Sequence, residues 1–421
     1  MITRCAVQRA RFFTGCRLKS VIFSTAVYFV FQLVGSLERN YVFADEERFI
    51  AGISLTGSLS DGVGQEGLLG DVAPRLSRML KRLEDAAKDE SVRGVLLSIQ
   101  SPRLGRARVL ELRESIQHIR DQGKPVVAHL ISGEPLDYSV AAACDRVVMP
   151  PAAPLAITGV RTEVTFYKGL LDRLGIQAEI LQVGEFKGAG EPLTRVSMSP
   201  QLRQQYESFV GDLFEQMVEQ ISEDRSLEKE KVRELIDIGI FTPDQAVQAS
   251  LVDGIAYEDE VLSGFSASSA DSLQDFRRDY GKQDVDTDFS GLSGFMKLVD
   301  ILSGTEKISQ KNASKRIAII HVQGEIVDGR GSVGMFGGSA AGSEAITKAI
   351  RQASEDASVA ALVIRINSPG GSALASDLIW RELDRCHKPI VASLSDTAAS
   401  GGYYIAVAAD EIVAAPGTLT G

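Results

Sequence analysis

Histidine, cysteine and tryptophan are scarce in this chain: its 421 residues hold four, four and one of them. The cysteines follow neither a disulfide framework nor a metal-ligand spacing. Cys5 and Cys16 lie near the N-terminus, and Cys144 and Cys386 fall in separate segments. The histidines (His118, His129, His321 and His387) form no cluster, so no metal or other cofactor is expected. Basic charge is also short. The net charge is −11, which argues against a nucleic-acid partner. An apolar run of ordinary membrane-spanning length is missing as well. The candidate, Val21–Val34, has 14 residues and reaches about 21 Å at ~1.5 Å per residue, against about 30 Å of hydrocarbon.

That run still carries a targeting signature. Arg4, Arg9, Arg11, Arg17 and Lys19 precede it, with no acid among the first 20 residues. It reads as a signal-peptide core or a short signal anchor, with Gly35-Ser36 and Val42-Phe43-Ala44 as cleavage contexts. The remaining chain has a net charge near −16 (−11 less the five cations). The positive-inside rule places this acidic body across the membrane.

What is present is globular in composition, 44% hydrophobic and 24% charged, and long enough for two or three domains. It is also repeated. Phe49–Gly57 is an apolar strand followed by Asp61, and Arg316–Gly324 is another followed by Asp328; Gly57 and Gly324 stand 267 residues apart, as do Asp61 and Asp328. At the same offset Gly94–Pro102 lies over Ala361–Pro369. After small gaps, Lys124–Ala128 lies over Lys388–Ala392, and Tyr138 and Asp145 over Tyr403 and Asp410. Register kept over a hundred residues is a tandem duplication. The reading divides the chain into a targeting segment (1–45), a first copy (46–262), a linker rich in Ser, Asp and Gly (263–314) and a second copy (315–421). Within the first copy, Thr165–Gly175 reads as a helix, Ile176–Val183 as an alternating strand, and Ser199-Pro200 as the start of a strong helix. Phe289–Leu302 reads as a short amphipathic helix before the second copy. The second copy has no counterpart of residues 160–256, so about a hundred residues are expected to follow Gly421 in the complete protein.

The copies differ where chemistry would sit. In the second, strand Ala360–Asn367 runs into Pro369-Gly370-Gly371, and strand Pro389–Leu394 runs into a small-residue turn holding Ser400 before a helical segment, Tyr403–Ala409. A serine on a tight strand-to-helix turn is exposed as a nucleophile, and a Gly pair lets backbone N–H groups face an oxyanion. In the first copy Pro102-Arg103-Leu104 replaces the Gly pair and Pro135 stands over Ser400, which makes that copy scaffold. His387, the nearest histidine, reads as a surface turn residue, and Asp396 and Asp410 have no histidine to orient. The base is then a lysine, which works only if desolvation lowers its pKa toward neutrality. Lys187, in the loop Gly184–Arg195, is one candidate among many solvated lysines, with Glu185 opposing the shift.

Asn367–Gly371, Asp396–Tyr404, Ala409–Ala414 and Pro416–Gly421 resemble the SppA, or protease IV, family of signal peptide peptidases. Val183–Pro192 followed by Met198-Ser-Pro200 resembles the lysine motif of that family's long, duplicated form. The resemblance covers nearly everything from residue 46 to 421. It implies an α/β fold of tandem ClpP/crotonase-like ββα spiral domains, the second incomplete here. It implies a serine endopeptidase with Ser400 as nucleophile, Lys187 from the other copy as general base and oxyanion N–H groups from Gly370 and Gly371. It also implies a homo-oligomer attached to the bacterial inner membrane, its catalytic domains on the extracytoplasmic side, degrading hydrophobic peptides such as released signal peptides. Two alternatives stand beside it. One is a crotonase-type acyl-CoA enzyme, which the export segment opposes. The other is a non-catalytic scaffold or inactive fragment of the same fold.

Overall fold

Long β-branched runs between Gly and Pro turns build two parallel sheets, each strand returning through a helix. A computed structural model describes residues 48–62, 75–265, 275–282, 315–331 and 340–421. The targeting segment and its apolar run, most of the linker and the Phe289–Leu302 helix lie outside the described residues. Phe49–Gly421 holds together as one unit.

The first sheet is built from β1 (Phe49–Ser58), β2 (Val92–Arg103), β3 (Val126–Leu130) and β4 (Arg146–Met149), with α1 (Leu76–Lys88), α2 (Arg106–Asp121) and α3 (Pro135–Ala142) as crossovers. The chain then runs through β5 (Leu155–Ala156), α4 (Lys168–Arg173), α5 (Glu191–Thr194), α6 (Pro200–Arg225), α7 (Lys229–Ile238), β6 (Ile240–Phe241), α8 (Pro243–Gln248), β7 (Gly254–Ile255), α9 (Glu258–Ser263) and β8 (Phe276–Arg277). The second copy holds β9 (Arg316–Gln323), β10 (Glu325–Val327), β11 (Ala340–Gly342), α10 (Ser343–Glu355), β12 (Val359–Ser368), α11 (Ala373–Asp384), β13 (Ile390–Ala398), α12 (Gly401–Ala406), β14 (Glu411–Ala414) and β15 (Leu419–Thr420).

The two copies share their strand order, as a duplication requires. The first sheet reads β7-β4-β3-β2-β1-β8 and the second β14-β13-β12-β9, so β1, β2, β3 and β4 correspond to β9, β12, β13 and β14. All these pairs are parallel. The polar ties repeat as well. Lys124 Nζ donates to the carbonyls of Ala86, Ala87 and Asp89 at the end of α1, and Lys388 Nζ to those of Ala353 and Asp356 at the end of α10. Asp145 accepts from Val126 N–H and Asp410 from Ile390 N–H, each at 2.8 Å. A lysine at a helix C-terminus satisfies carbonyls that have no partner within the helix. Each copy has its own apolar core.

The 26-residue α6 begins where Ser199-Pro200 predicts it. Ser199 Oγ accepts from Leu202 N–H at 3.1 Å, Pro200 fits the first turn without a missing donor, and Leu202, Leu213, Met217 and Ile221 are buried. Of two expectations in the arm before it, one is shortened and one fails. The helix over Thr165–Gly175 is confined to α4. Ile176–Val183 forms no strand, and Ile176, Ile180, Leu181 and Val183 are exposed. Alternation supplies a strand's two faces, but a strand also needs a neighbour for its N–H and C=O groups, and among the described residues this arm pairs with no sheet edge.

Candidate active site

β12 and β13 stay paired out to Ser368 and Ala398, so their two turns leave the sheet side by side. β13 runs four residues further than the predicted strand, which brings ordered backbone almost to Ser400. Ser400 has φ +51° and ψ −118°, a conformation rarely adopted by a residue with a β-carbon. The sharp turn leaves it exposed at the start of α12, its carbonyl accepting from Tyr404 N–H at 2.9 Å and its N–H donating to Gly421 O at 2.6 Å. Among the described residues its hydroxyl has no hydrogen-bond partner.

The Gly pair packs directly on this turn. Gly370 has φ +98°, and a β-carbon there would stand 2.8 Å from Ser400 Cβ and 2.7 Å from Gly401 N. A β-carbon on Gly371, φ +156°, would stand 2.1 Å from the Ile326 carbonyl oxygen. Ile326 clamps the turn from β10: its N–H donates to Gly370 O at 2.9 Å and its carbonyl accepts from Ser372 N–H at 2.8 Å. The two predicted oxyanion donors are therefore not equivalent. Gly370 N–H donates to the buried Ser368 Oγ at 3.1 Å, whereas Gly371 N–H has no protein acceptor among the described residues.

Lys187 is not brought to Ser400 by any hydrogen bond or ion pair. It is exposed, just before the 3₁₀ turn Gly188–Gly190, and among the described residues its ammonium has no partner. The apolar pocket that a lysine base requires is not formed around it in the single chain. Glu185 does not pair with it either; that carboxylate accepts from Gln201 at 3.4 Å.

Reading one copy at a time misses the residues that join the copies. Asp396, four residues before Ser400, accepts from the N–H groups of Ala107 and Arg108 at 3.0 and 3.3 Å and from Arg108 Nε. Asp61, a landmark of the repeat, is buried and accepts from Arg365 at 3.2 Å, Asn367 Nδ2 at 2.9 Å and Ser395 Oγ at 2.6 Å. Asn367 Oδ1 in turn accepts from Thr397 N–H at 3.3 Å. Arg365 also donates to Glu111. Burial raises the Glu111 carboxyl against the pull of Arg365, and nearby Asp61 and Asp396 raise it further. Burial disfavours the Arg365 cation, but Asp61 and Glu111 outweigh it and raise its pKa. Among the described residues no group of His, Cys, Asp and Glu could hold a metal ion.

Comparison with known proteins places these features in a family. The model for peptidase family S49 matches residues 118–270 and 382–421, stretches that carry Lys187 and Ser400. The chloroplastic serine protease SPPA of Arabidopsis thaliana is 31% identical over 371 residues, 88% of this chain and 52% of that protein. Protease 4 of Salmonella typhi is 30% identical over 385 residues, 88% of this chain and 57% of its own length. Protease 4 of Haemophilus influenzae is 28% identical over 355 residues, 80% of this chain and 54% of its own length. The chain spans about half the length of these relatives. With its duplicated parallel α/β fold, it belongs to peptidase family S49.

Proposed function

We propose that this chain carries the catalytic residues of a serine endopeptidase that uses a Ser-Lys dyad. The strained, exposed turn of Ser400 against Gly370 carries the reading, because holding a serine at φ +51° costs stability and has a use when its hydroxyl must face a substrate. Ser400 Oγ attacks the peptide carbonyl carbon while the neutral Lys187 amine takes its proton. Collapse of the tetrahedral intermediate breaks the C–N bond, and the proton passes to the leaving amine. Water, activated by the same amine, then releases the acyl group. Gly371 N–H donates to the oxyanion, joined by Gly370 N–H if it turns from Ser368. Lys187 must be covered to act, since an amine base needs apolar surroundings.

The relatives' names support peptide hydrolysis, and the resemblance of the Ser and Lys motifs supports hydrophobic peptides such as released signal peptides as substrates. The basic, apolar N-terminus supports membrane attachment with the site on the extracytoplasmic face of a bacterial inner membrane. Among the described residues no helix is long and apolar enough to cross a membrane, and Val21–Val34 lies outside them. A homo-oligomer would give the exposed Lys187 arm a surface to cover it. That same exposure favours a second reading, a non-catalytic scaffold. Hydrolysis of a fluorogenic Leu/Ala-rich peptide by wild type, Ser400→Ala and Lys187→Met separates them. Turnover in wild type alone supports the dyad, turnover in Lys187→Met removes the lysine from the mechanism, and assembly without turnover supports the scaffold.

A further inference from the structure

We infer that the first copy acts as the brace of the second copy's active turn, with Asp396 as the positioning residue; the inference rests on Ser400 being the nucleophile. α11 and α2 are the same helix of the two copies. α11 is capped by its own Ser372, whose Oγ accepts from Ala375 N–H at 3.2 Å. The corresponding N-cap of α2 is Gly105, 267 residues earlier, which has no side chain to offer. Asp396 supplies that cap from the other copy. Its carboxylate takes the N–H groups of Ala107 and Arg108 and pairs with the Arg108 guanidinium, which also donates to Leu59 O. A β-carbon on Gly105 would stand 2.1 Å from Asp396 Cγ, so the glycine makes the space that the carboxylate fills.

A helix N-terminus presents unpaired donors and favours an anion, so the tie holds Asp396 by charge and direction together. From Asp396, β13 runs through Thr397 and Ala398 to the turn, too short a lever for Ser400 to move independently. Asp61 makes a second tie to the same strand end through Ser395 and, by way of Asn367, Thr397 N–H. Asp328, its counterpart in the repeat, remains within its own copy and accepts from Ser372 Oγ at 3.0 Å. Both contacts therefore run from the copy without the serine to the strand that delivers it.

Gly105→Ser tests this. Gly105 has φ −91° and ψ 174°, extended backbone that serine adopts, so the variant gives α2 its own cap while expelling Asp396. We expect Gly105→Ser and Asp396→Asn to lower kcat about 10- to 100-fold, with KM within twofold of wild type. Amide exchange over Thr397–Tyr404 should quicken in both variants and stay unchanged in the first-copy core. Unchanged kcat with unchanged exchange would overturn the proposal. So would full recovery of kcat in Gly105→Ser/Asp396→Ala, which relieves the crowding but leaves no tie. If wild type and Ser400→Ala hydrolyse peptide equally, the nucleophile reading fails, and the exchange measurement still decides whether the tie holds the turn.

Discussion

Gly105 and Ser372 occupy one position in two copies of the same fold and cap their helices in opposite ways. Ser372 caps α11 itself, whereas Gly105 leaves α2 open to a carboxylate from the other copy. Around that difference the molecule divides its labour, one sheet presenting a serine and the other holding it.

Ser400 should be replaceable by glycine with a gain in stability. Its φ of +51° with ψ −118° disfavours any β-carbon, at a cost of about 1–3 kcal/mol for such conformations. Ser400→Gly should raise the melting temperature by about 2 °C or more while abolishing hydrolysis. A melting temperature at or below that of wild type would show that the turn is unstrained.

Asp137 should give the fold a pH dependence unconnected with catalysis. Burial pushes its carboxyl up from 3.8 to about 6, against the hydrogen bond from Ser132 Oγ at 2.8 Å. The folded state then holds this proton more tightly than the unfolded chain. Its contribution to stability is complete below about 3.8 and is lost as pH rises through about 6. Asp137→Asn keeps an acceptor for Ser132 and removes the titration. Its melting temperature should gain on wild type between those pH values and hold a constant lead above them. Parallel pH profiles for the two proteins would count against the assignment.

Lys187 should reach a serine on another copy if assembly is what covers it. Mixing Ser400→Ala with Lys187→Ala, each inactive alone, should then restore up to about a quarter of wild-type turnover in a dimeric pairing. No recovery in a demonstrably mixed assembly would place both residues of the working site on one chain.

Much of this was legible in the sequence because it is local or repeated. The strand runs, the cap at Ser199, the turn at Ser400 and the Gly pair are each written in a few neighbouring residues. The repeat supplied the sheet order twice over. The arm before α6 departs from its pattern because Ile176–Val183 has the alternation of a strand without a described edge to receive it. The environment of Lys187 was not legible because desolvation depends on what covers the side chain. Contacts such as Asp396 with Arg108, 288 residues apart, leave no periodic trace. A trace did exist in the mismatch of the copies, glycine at 105 where serine stands at 372, but only the structure says what filled the space.

Duplication ordinarily frees the spare copy to drift. Here the spare copy's freedom is curtailed at Gly105, because its empty side-chain space is occupied by its sibling's carboxylate. Substitutions on the two sides are coupled through one small volume. Among family members, a bulkier residue at the position of Gly105 should therefore travel with a shorter one at the position of Asp396, and the pair should change together or not at all.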